Sequence, residues 1–478
     1  MNTEPARSEL MSLDELRQAI EGIAAIHGND LEILDETGFR GDLIDRLVYT
    51  AVFGEGEVQA AARWVIRVAA PKLGAFPASI HELYMAAGRG VYANATAPAI
   101  NVRGMTYDIA QSIFLAAKAN DAKIVLFEIA RSEMGYTNQR PGEYASAVLA
   151  AAIKNGHQGS VFIQGDHFQA NAKNYAKDPD AEIKSVRDLA IEAIGAGFYN
   201  VDIDSSTLVN LDLPTMADQQ RANYVHTAEL TAVIRAHEPR GVTVSVGGEI
   251  GEVGGRNSTI EDLTAFMDGY LPELGRLSEQ AGRELPGISK ISVQTGTSHG
   301  GIPLPDGTVA QVKVDFDTLA ALSKAALETY HLGGAVQHGA STLPEEYFDR
   351  FAQANAIEVH LATAFQNQLF DSSHFPGELR TRIYEHLAVN HADERKPDQT
   401  DTQFYYTTRK RAFGPFKREM WDLPEATREL LMAELQETYS LVMRRLGVSG
   451  SAALVDEHVK PVAVDVQAPG VLQSLAVA

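Results

Sequence analysis

Three histidines stand just beyond short β-branched runs and beside glycine-rich turns: His167 in VFIQGDH, His299 in ISVQTGTSHGG and His338 in GAVQHGAS. Neutral imidazole is the commonest zinc ligand, and a catalytic zinc keeps three protein ligands with one position open. If the three strands lie in one parallel barrel, their C-terminal ends bring the imidazoles together. Carboxylates occupy corresponding places: Asp166 beside His167, Asp204 at the end of YNVDID, and Glu249 after VTVSVGG. Singly, each has an ordinary role as a turn residue, a helix cap (Asp204 before Ser205 and Ser206) or a solvated charge. Gathered on one face of one barrel, they describe a metal enzyme.

Such residues need strands to carry them. Strands are expected over 98–102, 123–127, 161–165, 199–204, 242–247, 290–294, 334–337 and 356–361, with amphipathic helices between them. In one such helix Ile183, Val186, Leu189, Ala190 and Ile194 share a face. Eight strand–helix repeats over about 250–300 residues are the pattern of a (β/α)8 TIM barrel. A doubly wound open sheet is the competing topology, but no Gly-rich dinucleotide fingerprint follows any strand.

The barrel is expected over 79–390. Residues 1–78 read as a helical N-terminal extension, with Leu13, Leu16, Ile20, Ile23 and Ile26, then Leu43, Ile44, Leu47 and Val48, at helical spacing. Residues 391–478 read as a charged loop, a helix carrying Leu430, Leu431, Leu435, Tyr439 and Leu441, and an Ala/Val-rich tail that is flexible or held by a partner. The basic stretch TTRKRAFGPFKR is a solvated lead-in to that helix, or else it offers Arg409 or Arg411 to a substrate phosphate across a subunit contact.

Composition narrows the chemistry. With no cysteine among 478 residues, any metal is held by His, Asp or Glu, and cysteine nucleophiles are excluded. A net charge of −22 argues against nucleic acid or an anionic membrane as partner. No segment has the length of a signal peptide's apolar core or of a membrane span, so a cytoplasmic location is expected.

Taken in order, GDH, VDIDSS, GGEIGEVGG, TGTSHGG and QHGAS resemble the motifs of the class II, metal-dependent fructose-bisphosphate aldolases. The likeness begins near ASIHELYMAAGRGVYANATAPAINV and runs to about residue 370, with no counterpart for residues 1–78. The resemblance implies Zn²⁺ on His167, His299 and His338. It implies that Asp166 exchanges a proton with the aldehyde oxygen or product hydroxyl. Glu249 and Asp204 match carboxylates near the metal, used in metal shuttling or for a second mono- or divalent cation. Gly300, Gly301, Gly339 and Ser341 match the phosphate cradle. Backbone N–H groups in such turns hold anions, which lets an acidic protein bind a sugar phosphate. A cytoplasmic, homo-oligomeric (dimeric or larger) C–C lyase of carbohydrate metabolism and glycolysis is thereby implied, acting through a metal-stabilised enediolate. No lysine at a strand end favours a Schiff base.

The departures lie on the donor and phosphate side. Glu358 stands where the family has lysine, His360 where it has an asparagine beside the donor ketone, and Ala364 where it has aspartate. The phosphate turn reads Gly339-Ala340-Ser341-Thr342 instead of GGSG, and Arg256-Asn257 replace acidic residues after Gly254-Gly255. His360 is read as a substrate-side group, as a fourth metal contact, or as a core residue between strand and helix. Glu252 and Glu261 are the nearest candidates for the base that takes the donor C–H proton. Three functions stay open: an aldolase on a fructose-1,6-bisphosphate-type ketose phosphate, a related metal lyase or epimerase on another sugar with or without phosphate, and a non-catalytic barrel subunit.

Overall fold

Strands rich in apolar residues and buried along nearly all their length belong in a parallel sheet covered by helices. The computed structural model, which describes residues 9–251, 255–296, 304 and 313–473, has eight such strands. They are β4 (Ala97–Asn101), β5 (Leu126–Ala130), β6 (Gly159–Gln169), β7 (Asn200–Asp204), β8 (Ser245–Glu249), β9 (Lys290–Val293), β10 (Ala335–Gln337) and β11 (Glu358–Leu361). Each pairs in parallel with its neighbours, β11 returns to β4, and pairing of β6 with β7 closes the ring. This is the (β/α)8 barrel expected from the sequence. The second strand lies three residues later than expected, because Lys123–Val125 only lead into it.

The crossovers are punctuated by ordinary helix signals. Asp178 caps helix Pro179–Ala196 by accepting from Ala181 N, and Gly197 ends it at φ +102°, a conformation glycine takes without a Cβ clash. Thr259 and Asp262 form a capping box at the start of helix Ile260–Ala281.

The N-terminal region departs from its all-helical reading. Only Leu13–Ile20 continues the first periodic stretch; Ile26 lies in β1 (Ala24–His27), which turns at Gly28 (φ +64°) into antiparallel β2 (Asp30–Ile33). Ile23 and Ile26 satisfy both helical spacing and a short strand, so periodicity alone misassigns them. Residues 75–78 form a further strand, β3, which pairs with the first half of β6. Asn200 joins the two: its side chain donates to Ala78 O (3.2 Å) and Ile163 O (3.1 Å) and accepts from Ile80 N.

At the other end, helix Glu425–Arg445 buries Leu431, Leu435 and Tyr439 and leaves Leu430 exposed, packing on helix Thr106–Ala119. Residues 466–468 of the last described segment are bonded to the N-terminal region of the same chain. Trp64 Nε1 donates to Val466 O (3.0 Å), Asn29 Nδ2 donates to Gln467 Oε1 (3.0 Å), and Ala468 N donates to Asn29 Oδ1 (2.9 Å). N- and C-terminal additions therefore close over each other and share one core with the barrel. No helix among the described residues is long and apolar enough to cross a membrane.

Candidate metal centre and active-site cleft

On a regular strand, Asp166 and His167 would point to opposite faces. In β6 they do not, because the strand bulges. Its register against β7 shifts between Gly165 and Phe168, and His167 adopts φ +40°, uncommon for a residue with a Cβ. Phe168 folds back over Gly165, where an added Cβ would lie 2.4 Å from the ring. The local strain turns both functional side chains to the barrel mouth.

Around them the strand ends converge. Nδ1 of His167 is 3.1 Å from Asp204 Oδ2, leaving Nε2 to face Asp166 Oδ1 at 3.8 Å. The His167 and His338 rings are 4.3 Å apart, and His338 Nε2 is 3.0 Å from Ser292 Oγ and 3.7 Å from Glu249 Oε2. Ligand atoms of Asp166, His167 and His338 all lie within 4.8 Å of one another, as do those of His167, Asp204 and Glu249. Two imidazoles with buried carboxylates suit a borderline divalent ion. His299, Gly300 and Gly301 lie outside the described residues, as does Glu252.

Asp204 is fully engaged. It accepts from Ser206 N (3.0 Å), Ser206 Oγ (2.7 Å) and Gln169 Nε2 (2.5 Å) besides facing His167. Burial opposes its charge, but these bonds hold its carboxyl below the ordinary range. Such a group fixes the tautomer and angle of His167. Glu249 differs: burial first, and then the Asp204 charge, push its carboxyl up to about 8.

His360 lies inside the barrel, not between strand and helix. Its ring stacks on His338 with centroids 4.0 Å apart. Nδ1 is 3.1 Å from Asp166 Oδ1 and 3.0 Å from Glu128 Oε2, while Nε2 is 2.6 Å from Glu358 Oε1. Carboxylates around both ring nitrogens make a poor seat for a phosphate and a good support for Asp166. Burial would lower the pKa of His360, yet Glu128 and Asp166 raise it well above the ordinary value.

Below this level the barrel is closed by Lys290. Its fully buried ammonium lies 2.9 Å from Asp202 Oδ1 and 2.6 Å from Glu358 Oε1, and donates to Gln164 Oε1 (2.8 Å). Asp202 and Lys290 meet across β8 because residue 247 is glycine: a Cβ there would fall 2.3 Å from Asp202 Oδ1. So the barrel does contain a lysine, at the start of a strand and locked in ion pairs.

Above, a cavity of about 650 Å³ spans the ends of β10, β11, β4, β5 and β6. Asp166, His167, His338, His360, Gly339 (φ +71°) and Ser341 line one wall. Ser341 Oγ accepts from Ala364 N (3.3 Å) in the first turn of helix Thr363–Asp371, beside that helix's N–H groups. Asn101, Arg103, Arg131, Glu133, Tyr136 and Lys410 line the other.

Other sequence candidates lie elsewhere. Glu261 is exposed in a helix's first turn. Arg256 holds Asp262 bidentately (2.7 and 2.8 Å), and Asn257 reaches Asp315 (3.3 Å), so both tie loop to helix. Arg409 is bound to Asp371, and Arg411 to Glu394. Sequence reasoning missed Glu128, Asp202, Lys290 and Lys410. Asp202 sits two residues before Asp204, on the same strand face, and Glu128 directly follows an expected strand end. Either could have been found; nothing local distinguishes Lys290 or Lys410 from a solvated lysine.

The chain matches the model of the family "Fructose-bisphosphate aldolase class-II" over residues 78–443, well beyond residue 370, where the motif resemblance fades. Comparison with curated proteins finds no match. Several solved structures are similar. A putative fructose-1,6-biphosphate aldolase from Coccidioides immitis has 17% identity, covering 78% of this chain and 97% of that one, with a TM-score of 0.46. A fructose-bisphosphate aldolase from Campylobacter jejuni has 16% identity over 79% and 96%, with a TM-score of 0.47. A fructuronate-tagaturonate epimerase from Cohnella laeviribosi has 11% identity over 93% and 90%, also with a TM-score of 0.47. From the family match over most of its length, this chain belongs to the class II fructose-bisphosphate aldolase family.

Proposed function

We propose that the protein is a zinc-dependent aldolase that cleaves and forms a C–C bond in a ketose phosphate. The observation that supports it most directly is the convergence of Asp166, His167 and His338 at the floor of one open cleft. His167 and His338 would hold the ion together with His299, and Glu249 lies where it can exchange with them. An ion held there would supply Lewis-acid polarisation of a ketone carbonyl and stabilise the negative charge that develops beside it.

The remaining work falls to the chain's own groups. Asp204 orients His167. Asp166, at the cavity wall, takes the proton from the hydroxyl of the substrate during cleavage and returns it to the aldehyde oxygen during condensation. His360 keeps Asp166 in place. Gly339 and Ser341 offer a backbone N–H and a hydroxyl to the donor phosphate, a role the motif resemblance also implies for Gly300 and Gly301. Lys290 takes no covalent part, since its ammonium is locked between Asp202 and Glu358.

Purified protein should carry about one zinc per chain, and chelation should abolish cleavage of fructose 1,6-bisphosphate. Full activity without metal would sink the reading. A second reading, a related metal-dependent lyase or epimerase on a different sugar with or without phosphate, is favoured by His360, an imidazole that lines the cleft beside Asp166 where the family has an asparagine. Turnover of ketoses and ketose phosphates in parallel separates the two.

A further inference from the structure

Outside the metal centre, three side chains form a hydrogen-bonded series of their own. Tyr175 ends the short helix Ala172–Tyr175, and His226 and Glu229 stand one turn apart on helix Met216–His237. The Tyr175 hydroxyl is 2.9 Å from His226 Nε2, and His226 Nδ1 is 2.9 Å from Glu229 Oε2. A carboxylate only accepts, so Nδ1 carries the proton that faces Glu229. Nε2 of the neutral ring is then bare, and the Tyr175 hydroxyl must donate to it. The bond from His226 is the main influence holding the Glu229 carboxyl below its ordinary range, which keeps it an acceptor.

Nucleophile, base and orienting carboxylate thus stand in the order that activates a hydroxyl. The turn that carries Tyr175 is fixed in place: Tyr175 N donates to Asn171 O (2.8 Å), and Asn171 Oδ1 accepts from Lys173 N and Asn174 N (both 3.1 Å). Burial, and then the charges of Glu229 and Asp180, push the Tyr175 pKa up, so the phenol keeps its proton until a base removes it. Tyr175 is partly exposed, which lets a reagent reach it, while the imidazole behind it is only 17% exposed. Tyr347 is the natural contrast: it is exposed too, but its ring lies against Phe316 and Arg350 with no imidazole at its hydroxyl.

We propose that Tyr175 is an acyl-acceptor site for activated acyl donors (esters with a good leaving group, acyl phosphates or thioesters), with His226 as general base and Glu229 as a positioning residue. The phenolic oxygen bonds to the acyl carbon as its proton passes to His226 Nε2. The bond from that carbon to the leaving group breaks, and the proton departs with the alcohol, phosphate or thiol. The product is an ester of Tyr175 that can no longer donate to His226. Asn171 and Asn174, on the same turn, line the cleft, so the modification falls beside the cleft wall.

Full-length protein is treated with p-nitrophenyl acetate, and acetylation of each tyrosine is followed by peptide mass spectrometry. Tyr175 should acetylate about 10- to 100-fold faster than Tyr347. His226→Phe should bring Tyr175 down to the Tyr347 rate, and Glu229→Gln should slow it about 3- to 10-fold, with Tyr347 unchanged in both. Melting midpoints check folding, and His226→Gln replaces phenylalanine if that variant unfolds. Tyr175 reacting no faster than Tyr347, or equally fast with and without His226, overturns the proposal. The readout needs neither metal nor sugar, so it stands or falls apart from the aldolase reading.

Discussion

The same strands build two layers of very different character. On β7, Asp202 belongs to the lower layer and Asp204 to the mouth; on β11, Glu358 belongs below and His360 above. In each case they stand at i and i+2 of the strand, one full side-chain period apart. In the lower layer every charge is answered: Lys290 has Asp202, Glu358 and Gln164, and Tyr84 donates to Glu358 at 2.5 Å. At the mouth, His167, Asp166 and Lys410 face open volume. Stability and chemistry are thus divided by depth within the barrel. Lys290 and Lys410 illustrate it: the first is pinned among carboxylates, whereas the second lines the cleft with no carboxylate partner among the described residues.

That division can be broken at either layer. Asp166→Asn should cost activity most, up to about 10,000-fold, while bound metal and melting midpoint change little. An active Asp166→Asn enzyme would remove the mouth's assigned chemistry. Below, Lys290→Met leaves Asp202 and Glu358 buried without a cation and should destabilise the fold by about 3–5 kcal/mol in denaturant titrations. A loss under about 1 kcal/mol would show that the lower layer is not the closed unit described.

Histidines away from the cleft sharpen the contrast through pH. Burial lowers His81 and His157 from 6.5 to about 4, so both stay neutral in the fold. The unfolded chain then takes up their protons first. Their contribution is complete above pH 6.5 and is lost as pH falls toward 4, by up to about 3 kcal/mol each. Phenylalanine at both positions should flatten that acid limb; an unchanged limb would assign it to other groups. The smallest effect is expected for Arg411→Ala, which removes a partly exposed pair with Glu394 and a stacking contact over Tyr136, together about 1 kcal/mol or less by thermal melting.

Much of the barrel was legible because parallel strands buried on both faces leave continuous apolar runs, and because catalytic groups follow those runs in sequence. Asp166, His167, Asp204, Glu249 and His338 were reachable by that rule, and the structure brings all five together. Closure of the interior was not legible. Lys290, at the start of a strand, meets its partners only once β7, β8 and β11 are in register, and Gly247 makes room for it from a fourth place in the sequence. Lys410 reaches the cleft from a segment that follows the whole barrel. The hairpin at 24–33 escaped for a different reason: four-residue strands are too short for periodicity to separate from a helix turn.

The clasp between Trp64, Asn29 and residues 466–468 sets an order of events during synthesis. The N-terminal layer leaves the ribosome before the barrel but lacks its outer cover until residues 466–468 are made. At roughly 5–20 residues per second, that gap lasts tens of seconds. Throughout it, the Trp64 indole and the side chain of Asn29 wait for partners some 400 residues downstream. A chain interrupted before residue 460 would carry a complete barrel with an open flank, a surface suited to chaperone capture and premature self-association.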